Sequence, residues 1–495
     1  MANFKFGLSL LANSLIFLLF ISFFLILTSN SSSYSYTAKN SNSNKTNKTN
    51  TDLLTFNAYN DAPKIKIDKT LPAIINLKTA LEIALKHYPG IMASKYSYIS
   101  SIYAKNQSLY LYYPQISGTA GFSKNSVMDV NNQGIAAVNG QIYHVSEGAI
   151  NYSLNNYSGS INATYMLYSF GSRHYNYLSA YYNMKGAKAG YGMTVNNDLY
   201  NVILNFATYF ADKELMKADK ENLKNDETQY KAAAAFYKVG TGNLLDVETA
   251  KATMEAAKAA YINSIYNIKI ARLALLNSIG LSPSKRYLFV NTLKFKPFHQ
   301  TLDKLIKTAT KFNPQLKQSI YAVKSSKASV GAATSGYFPT LNADFSYTGQ
   351  NSAFPLNRNY SVGIGISIPI FNGFLTQNKI EYSRSILNSN IWNRRLTKDN
   401  LVYGVSGDYY AILNQYSTVK ALKSSADASK LAYQLALKSY EVGVGSMVQL
   451  VTANAQYISG ITSYINAKFT YFYQKAKLYS DLGLMLEHYI KRKNI

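Results

Sequence analysis

The sequence predicts an α+β membrane protein in which two tandem repeats each couple a pair of β-strands to a very long helical hairpin. Three observations carry this: motifs recur at matched spacings in the two halves, apolar and polar residues alternate after two prolines, and two long Pro-free runs have apolar steps of three and four.

The repeat comes first. Leu77 to Ala84 leads to Tyr88-Pro89 and then Pro114; Leu302 to Ala309 leads to Asn313-Pro314 and then Pro339, each 225 positions later. Further on, Val239-Gly240-Thr241-Gly242 precedes Gly280, and Val442-Gly443-Val444-Gly445 precedes Gly483, now offset by 203. One insertion of about 22 residues in the first half explains the change of offset. The text between places it at Asn125 to Asn156, a Gly/Asn-rich loop, against the short Gly349 to Asn359.

The strands follow from the period of two. After Pro114, Ile116, Gly118, Ala120 and Phe122 alternate with Ser117, Thr119, Gly121 and Ser123. After Pro339, Leu341, Ala343, Phe345 and Tyr347 do the same. Strands are expected at about 115–124 and 157–168, and again at about 340–348 and 360–370. Segments of this length and patterning suit a membrane barrel, whose closure leaves no backbone group unpaired in lipid. A soluble β-sandwich hairpin alternates in the same way, and four strands cannot close a wide barrel alone. The membrane reading therefore requires several chains.

The helices are read from Arg173 to Tyr237, which contains no Pro, with Val195, Leu199, Val202, Phe206 and Tyr209 forming a seam. Val402, Val405, Tyr409, Ile412, Tyr416 and Val419 repeat it. Some 65 helical residues reach roughly 100 Å. Each helix reverses at a Val-Gly-x-Gly turn, 239–243 and 442–446, where Asn243 and Ser446 can cap the returning helix.

Composition narrows the rest. Among 495 residues there is no Cys, which excludes disulfides, thiolate metal sites, a Cys nucleophile and a lipidated N-terminal Cys. The net charge of +26 is spread along the chain among Asn, Ile and Tyr, the mark of A/T-rich codon usage rather than of a nucleic-acid surface. Leu8 to Leu27 is apolar and reads as a signal-peptide core or an uncleaved anchor; small residues after it favour cleavage, giving residues 1–29 as a signal peptide. Residues 30–70 form a polar, low-complexity tether. The five His lack metal-ligand spacing, and no Walker loop, Gly-x-Ser-x-Gly elbow or His-Glu-x-x-His motif is present. The expectation is a protein that is not an enzyme and needs no cofactor or metal. Asp226-Glu227 reads as a solvated pair on a polar helix face. Tyr110, Tyr112, Tyr113, Tyr165, Tyr168 and Tyr337 are candidates for an interfacial girdle.

These residues together resemble the TolC family of outer-membrane efflux proteins over roughly 72–486. The carriers are Leu77 to Pro89 with Leu302 to Pro314, the prolines Pro114 and Pro339 that open the strands, Tyr168-Ser169-Phe170-Gly171 with Ile370-Phe371-Asn372-Gly373, and the two Val-Gly turns. The resemblance implies a homotrimer whose chains each give four strands to a twelve-stranded barrel and helices to a coiled-coil tunnel, with a small equatorial domain. It divides the chain into a first repeat (71–282), an equatorial linker (283–300), a second repeat (301–486) and a basic tail (487–495). Implied partners are a periplasmic adaptor, an inner-membrane transporter and outer-membrane lipid, with no nucleic acid.

By the same resemblance Val239, Gly240, Gly242, Asn243, Val442, Gly443, Gly445 and Ser446 are adaptor-contact positions at the tips. Asp246, Glu248, Gln449 and Thr452 are candidates for the pore constriction. Many family members carry Arg at the sites of Gly242 or Gly445 and acids at those of Gln449 and Thr452, so an acidic gate here rests on the first repeat. Three copies of Asp246 around one axis would attract cations; the plainer role is a carboxylate stabilising a helix N-terminus. The implied function is a passive exit duct for efflux or type I secretion. The alternative is a non-conducting coiled-coil surface or periplasmic structural protein.

Overall fold

The structure is a computed structural model and describes residues 74–129, 133–138, 141–146 and 150–491. The signal peptide, the tether and the last four residues of the basic tail lie outside these.

The first half runs β1 (Ile74–Ile75), α1 (Leu77–His87), α2 (Pro89–Gln107), β2 (Gln115–Asp129), β3 (Gln133–Val138), β4 (Gln141–Ser146), β5 (Ile150–Tyr168), α3 (Ser172–Lys238) and α4 (Leu244–Ile279). After β6 (Leu288–Phe289) come α5 (Leu302–Phe312), α6 (Pro314–Thr334), β7 (Thr340–Asn351), β8 (Asn357–Ser367), α7 (Leu375–Glu441) and α8 (Met447–Asp481). Both offsets seen in the sequence recur in the elements. α1 and α5 are 11 residues each, starting 225 positions apart at Leu77 and Leu302; α3 and α7 are 67 residues each, starting 203 apart at Ser172 and Leu375.

Local chemistry sets the boundaries. Asn76 caps α1 through its side chain, and Pro89 and Pro314 occupy the first turns of α2 and α6, where a missing N–H costs nothing. The passage from strand to long helix needs a left-handed residue in both repeats, supplied by Phe170-Gly171 and by Gly373-Phe374. In α7, Val405, Ile412, Val419, Ala426, Tyr433 and Tyr440 are buried at intervals of seven, a coiled-coil seam that runs the length of its lower half. α3 packs against α4, α7 against α8, and α3 also meets α2, α6 and α8.

The main core lies midway along the helices. Leu199, Phe206, Leu275, Phe469 and Tyr471 meet Leu81, Leu305 and the parallel two-residue strands β1 and β6 there. Tyr471 donates a hydrogen bond to the Lys296 carbonyl at 2.6 Å, which fixes the connection after β6 against α8. Glu487–Lys491 forms a π-helical turn whose Tyr489 and Ile490 pack on this core.

The four long strands make one antiparallel sheet in the order β2-β5-β7-β8. Two strand expectations change. The stretch Asn125 to Asn156, read as a loop, is largely strand: β2 and β5 stay in register from Lys124↔Asn155 to Asp129↔Ile150, and β3 pairs with β4. Ile150, Tyr152 and Leu154 keep the apolar alternation on β5, but the Asn and Gly residues dense between 125 and 156 and the unpatterned Asn125–Asp129 stretch read as loop. β8 spans 357–367 rather than 360–370, because Pro369 cannot donate to a ladder. The turn between β7 and β8 shrinks accordingly to 352–356.

Candidate functional site

The sheet has two chemically distinct faces. On one, Ile116, Phe122, Ile161, Tyr360, Val362, Ile364 and Ile366 are all exposed. On the other, polar side chains bond to one another across strands. Thr119 and Ser160 hydroxyls meet at 2.8 Å, Asn162 Nδ2 donates to Ser160 Oγ at 3.0 Å, and Ser346 Oγ donates to Asn162 Oδ1 at 2.8 Å. Thr164 Oγ1 donates to Asp344 Oδ1 at 2.9 Å. An apolar face left in the open beside a self-satisfied polar face is the arrangement of a membrane-barrel wall. No helix among the described residues is long and apolar enough to cross a membrane.

Pro114 and Pro339 stand directly ahead of β2 and β7, each after a short 3-10 turn, Tyr110–Tyr112 and Ser335–Tyr337. Aromatic side chains collect where sheet gives way to helix: Tyr168 and Phe170 rings lie 4.7 Å apart, Phe170 stacks on Phe338 at 5.9 Å, and Phe371 meets Phe374 at 5.5 Å. Tyr110, Tyr113, Tyr168 and Tyr337 are exposed there, while Tyr112 lies under the Arg173 guanidinium at 4.8 Å. Arg173 was not singled out from the sequence. Its guanidinium donates to the carbonyls of Leu111, Met166 and Leu167 at 3.3, 2.7 and 3.0 Å, tying α3 to the end of β5 and to the turn before β2. The signal was a lone Arg at the second position after Phe170-Gly171.

At the far end of the helices the two turns are near copies. Val239 and Val442 close α3 and α7, Gly240 and Gly443 follow at φ 77° and 82°, and Asn243 and Ser446 cap α4 and α8. Asn243 Oδ1 accepts from Asp246 N at 2.8 Å; Ser446 and Gln449 form a reciprocal capping box. Gly242 and Gly445 have ordinary φ, but a Cβ on either would lie 2.9 to 3.0 Å from backbone of the preceding helix, so an Arg there would strain these turns. Both tips are apolar outside: Val239 is 72% and Val442 71% exposed, with Leu245, Val444 and Val448 similarly open. Inside they share one small core in which Tyr433, Tyr440, Met447 and Leu450 meet Ala233, Val247 and Ala250.

The four candidate constriction residues do not form one cluster within the chain. Asp246 is half-buried in the first turn of α4, close enough for its charge to raise the Tyr440 hydroxyl pKa, after burial as the larger cause. Glu248 is exposed and faces Lys251 at 3.9 Å. Gln449 is held in the capping box, and Thr452 is exposed one turn further on.

One polar site was misread from the sequence. Asp226 is not solvated: it is 3% exposed, accepts a hydrogen bond from Asn454 Nδ2 at 2.8 Å, and burial pushes its pKa up to about 6. Asn454 also donates to Asn222 Oδ1 at 2.9 Å, so this cluster bridges α3 and α8. Its neighbour Glu227 is exposed as expected. The spacing of Asp226, Gln229 and Ala233, three then four, was the available sign that Asp226 lay on a buried stripe. Higher up, Asp408 is pushed up to about 7 by burial and by the nearby Asp481 carboxylate, with Lys477 opposing.

Comparison with known proteins agrees with this architecture. A profile described as "Outer membrane efflux protein" matches residues 97–281 and 305–484. The probable efflux pump outer membrane protein TtgC of Pseudomonas putida is 22% identical over 297 residues, covering 56% of this chain and 58% of that protein. TolC of Escherichia coli is 22% identical over 316 residues, 60% of this chain and 64% of TolC. The chain thus aligns with less than two thirds of the length of these curated relatives. The CmeC outer membrane channel of Campylobacter jejuni superposes with a TM-score of 0.72 at 14% identity, over 82% of this chain and 85% of CmeC, and shares its fold. With both halves matched in order and at their expected positions, the chain belongs to the outer membrane efflux protein family.

Proposed function

We propose that this chain is one protomer of a trimeric outer-membrane duct: three copies close one twelve-stranded barrel, continued by a helical tunnel into the periplasm. It is a passive component of a tripartite efflux or type I secretion system. Substrate would arrive from an inner-membrane transporter, with a periplasmic adaptor seated on the helix tips. The relatives TtgC and TolC, named as outer membrane proteins, support the location, and TtgC's name supports the efflux role.

The observation that carries this reading is the four-stranded sheet. β2 and β8 are its edges, one face is apolar and exposed, and the sheet continues into two 67-residue helices. Unpaired edges are untenable in lipid, and four strands cannot close on themselves. Edge-to-edge pairing of β8 with β2 of the next copy removes both problems. The exposed valines and leucines at the tips supply an apolar docking surface for the adaptor. Asp246 is the candidate to line the constriction.

Purified protein added to a planar bilayer should give discrete conductance steps. Absence of steps, with the protein running as a monomer, would favour the non-conducting coiled-coil alternative. Replacing Asp246→Asn should weaken cation preference and cation block; unchanged selectivity would remove Asp246 from the constriction.

A further inference from the structure

We propose that the apolar face of the sheet holds a phosphate-bearing acylated lipid of the outer leaflet, its chain in a groove across the strands and its phosphate on Arg358. The proposal rests on the membrane-barrel reading above.

The groove comes from register. Ala120 pairs with Gly159, Gly159 with Gly349, and Gly349 with Arg358, so one row across all four strands reads Ala, Gly, Gly, Arg. Directly paired residues share a face, and this row has the parity of Ile161, Tyr347 and Tyr360, which places it on the apolar side. Three of its four positions project a methyl group or nothing. The rows on either side carry larger side chains, except at Gly118 toward the helices and Asn351 toward the turn. Toward the β7–β8 turn, the Phe122 and Tyr157 rings lie 4.9 Å apart and Phe354 packs on Tyr157 at 5.1 Å. Toward the helices stand Ile161, Tyr347 and Tyr360. Leu356 folds over Gly349, where an added Cβ would meet it at 3.2 Å. The result is a groove of about 630 Å³ whose lining includes Ile161, Tyr347, Phe354 and Leu356, with Arg358 at one end.

Charge says what fills it. Within the strand segments whose side chains are described, 115–125, 155–168, 340–351 and 357–367, the charged residues are Lys124, Asp344 and Arg358. Lys124 shares the face of Phe122, and Arg358 that of Tyr360; the one carboxylate, Asp344, is on the opposite face, bonded to Thr164. Arg358 is exposed and has no ion pair among the described residues. A lipid-facing wall that keeps its cations and turns its carboxylate away is complementary to anionic headgroups. The groove lies near the β7–β8 turn, at the end of the sheet away from the helices. With the helices in the periplasm, that end meets the outer leaflet. An apolar trough that narrows under Leu356 at Gly349 and ends in a guanidinium matches an acyl chain joined to a phosphate, which Arg can engage through two parallel hydrogen bonds.

The test is native mass spectrometry of the purified full-length trimer, with diphosphorylated lipid A and its dephosphorylated form as probes. The wild type should retain lipid A, and Arg358→Glu should weaken retention about tenfold. The dephosphorylated probe should bind the wild type as weakly as lipid A binds that variant. Gly159→Leu fills the trough, the nearest atom to its new Cβ being Thr119 O at 3.8 Å, and should abolish retention of both probes. Equal retention by wild type and Arg358→Glu, or no preference for the phosphorylated probe, overturns the proposal even if Gly159→Leu fails to assemble. Conductance steps from the same preparations report the channel reading separately: steps without lipid discrimination sink the groove alone, and a wild type with no steps sinks the channel.

Discussion

Asp226 shows what a single side chain does to this bundle. Its ordinary pKa of 3.8 is pushed up to about 6 by burial between α3 and α8, with the Asn454 amide as its hydrogen-bond donor. Between about pH 4 and 6 the folded chain holds a proton that the unfolded chain has released. This group's contribution to stability is therefore complete below pH 4 and is lost as pH rises through 6. A shift of this size corresponds to roughly 2 to 3 kcal/mol. Asp226→Asn keeps the hydrogen-bond acceptor and removes the ionisation. Its melting temperature should exceed that of the wild type by a few degrees at pH 7.5, and the two should converge at about pH 3.5. Thermal unfolding of both proteins in detergent at the two pH values checks it; a gap that does not change with pH would mean that Asp226 titrates alike in the folded and the unfolded chain.

At the scale of the element, β8 decides whether the sheet is a membrane wall. Ile364 lies on the apolar face and Ser361 on the polar one, three residues apart on the same strand. A Lys on the lipid face near mid-bilayer costs roughly 2 to 4 kcal/mol, whereas one on the lumen side faces water. Ile364→Lys should therefore reduce the amount of assembled protein recovered from membranes, while Ser361→Lys should assemble normally and shift ion selectivity toward anions. Equal behaviour of the two would contradict the face assignment. This strand also shows how far the sequence could be read. Alternation from Tyr360 to Ile366 gave its faces correctly, because a half-buried strand must repeat every two residues. Its end was read too late because Ile368 and Ile370 keep the alternation, although Pro369 has already broken the ladder. The extension of β2 and β5 is masked in the sequence for the opposite reason: Asn and Gly are dense between 125 and 156, and they hide the alternation of Ile150, Tyr152 and Leu154 on β5. At the tips, the Val-Gly turns and both caps were legible, since left-handed backbone and orphan N–H groups call for specific residue types. The bonds from Arg173 to the Leu111 carbonyl and from Asn454 to Asp226 join elements 62 and 228 residues apart, so local spacing gives at most the buried stripe at Asp226 and not its partner.

For the whole molecule, the question is what covers the apolar surface that one chain leaves open. α7 carries two stripes at intervals of seven. One, from Val405 to Tyr440, is buried within the chain; the other, Leu396, Tyr403 and Tyr410, is exposed, with Tyr403 at 78%. α4 exposes Ile262, Tyr266 and Ile270 on successive turns. A coiled-coil helix with a second apolar stripe has a second neighbour, and no further helix of this chain covers it among the described residues. Closed cyclic assembly would place one stripe of each protomer against a different surface of the next, the same operation proposed above to pair β8 with β2. Tyr403→Glu with Tyr410→Glu puts two carboxylates into that seam in every copy and leaves the internal Val405–Tyr440 seam intact. The double variant should keep the helical circular dichroism of the wild type, elute as a monomer by size exclusion with light scattering, and give no conductance steps. If the tyrosine double variant still assembles and conducts, the contact between copies lies elsewhere on the helices, and the sheet edges alone carry the closure.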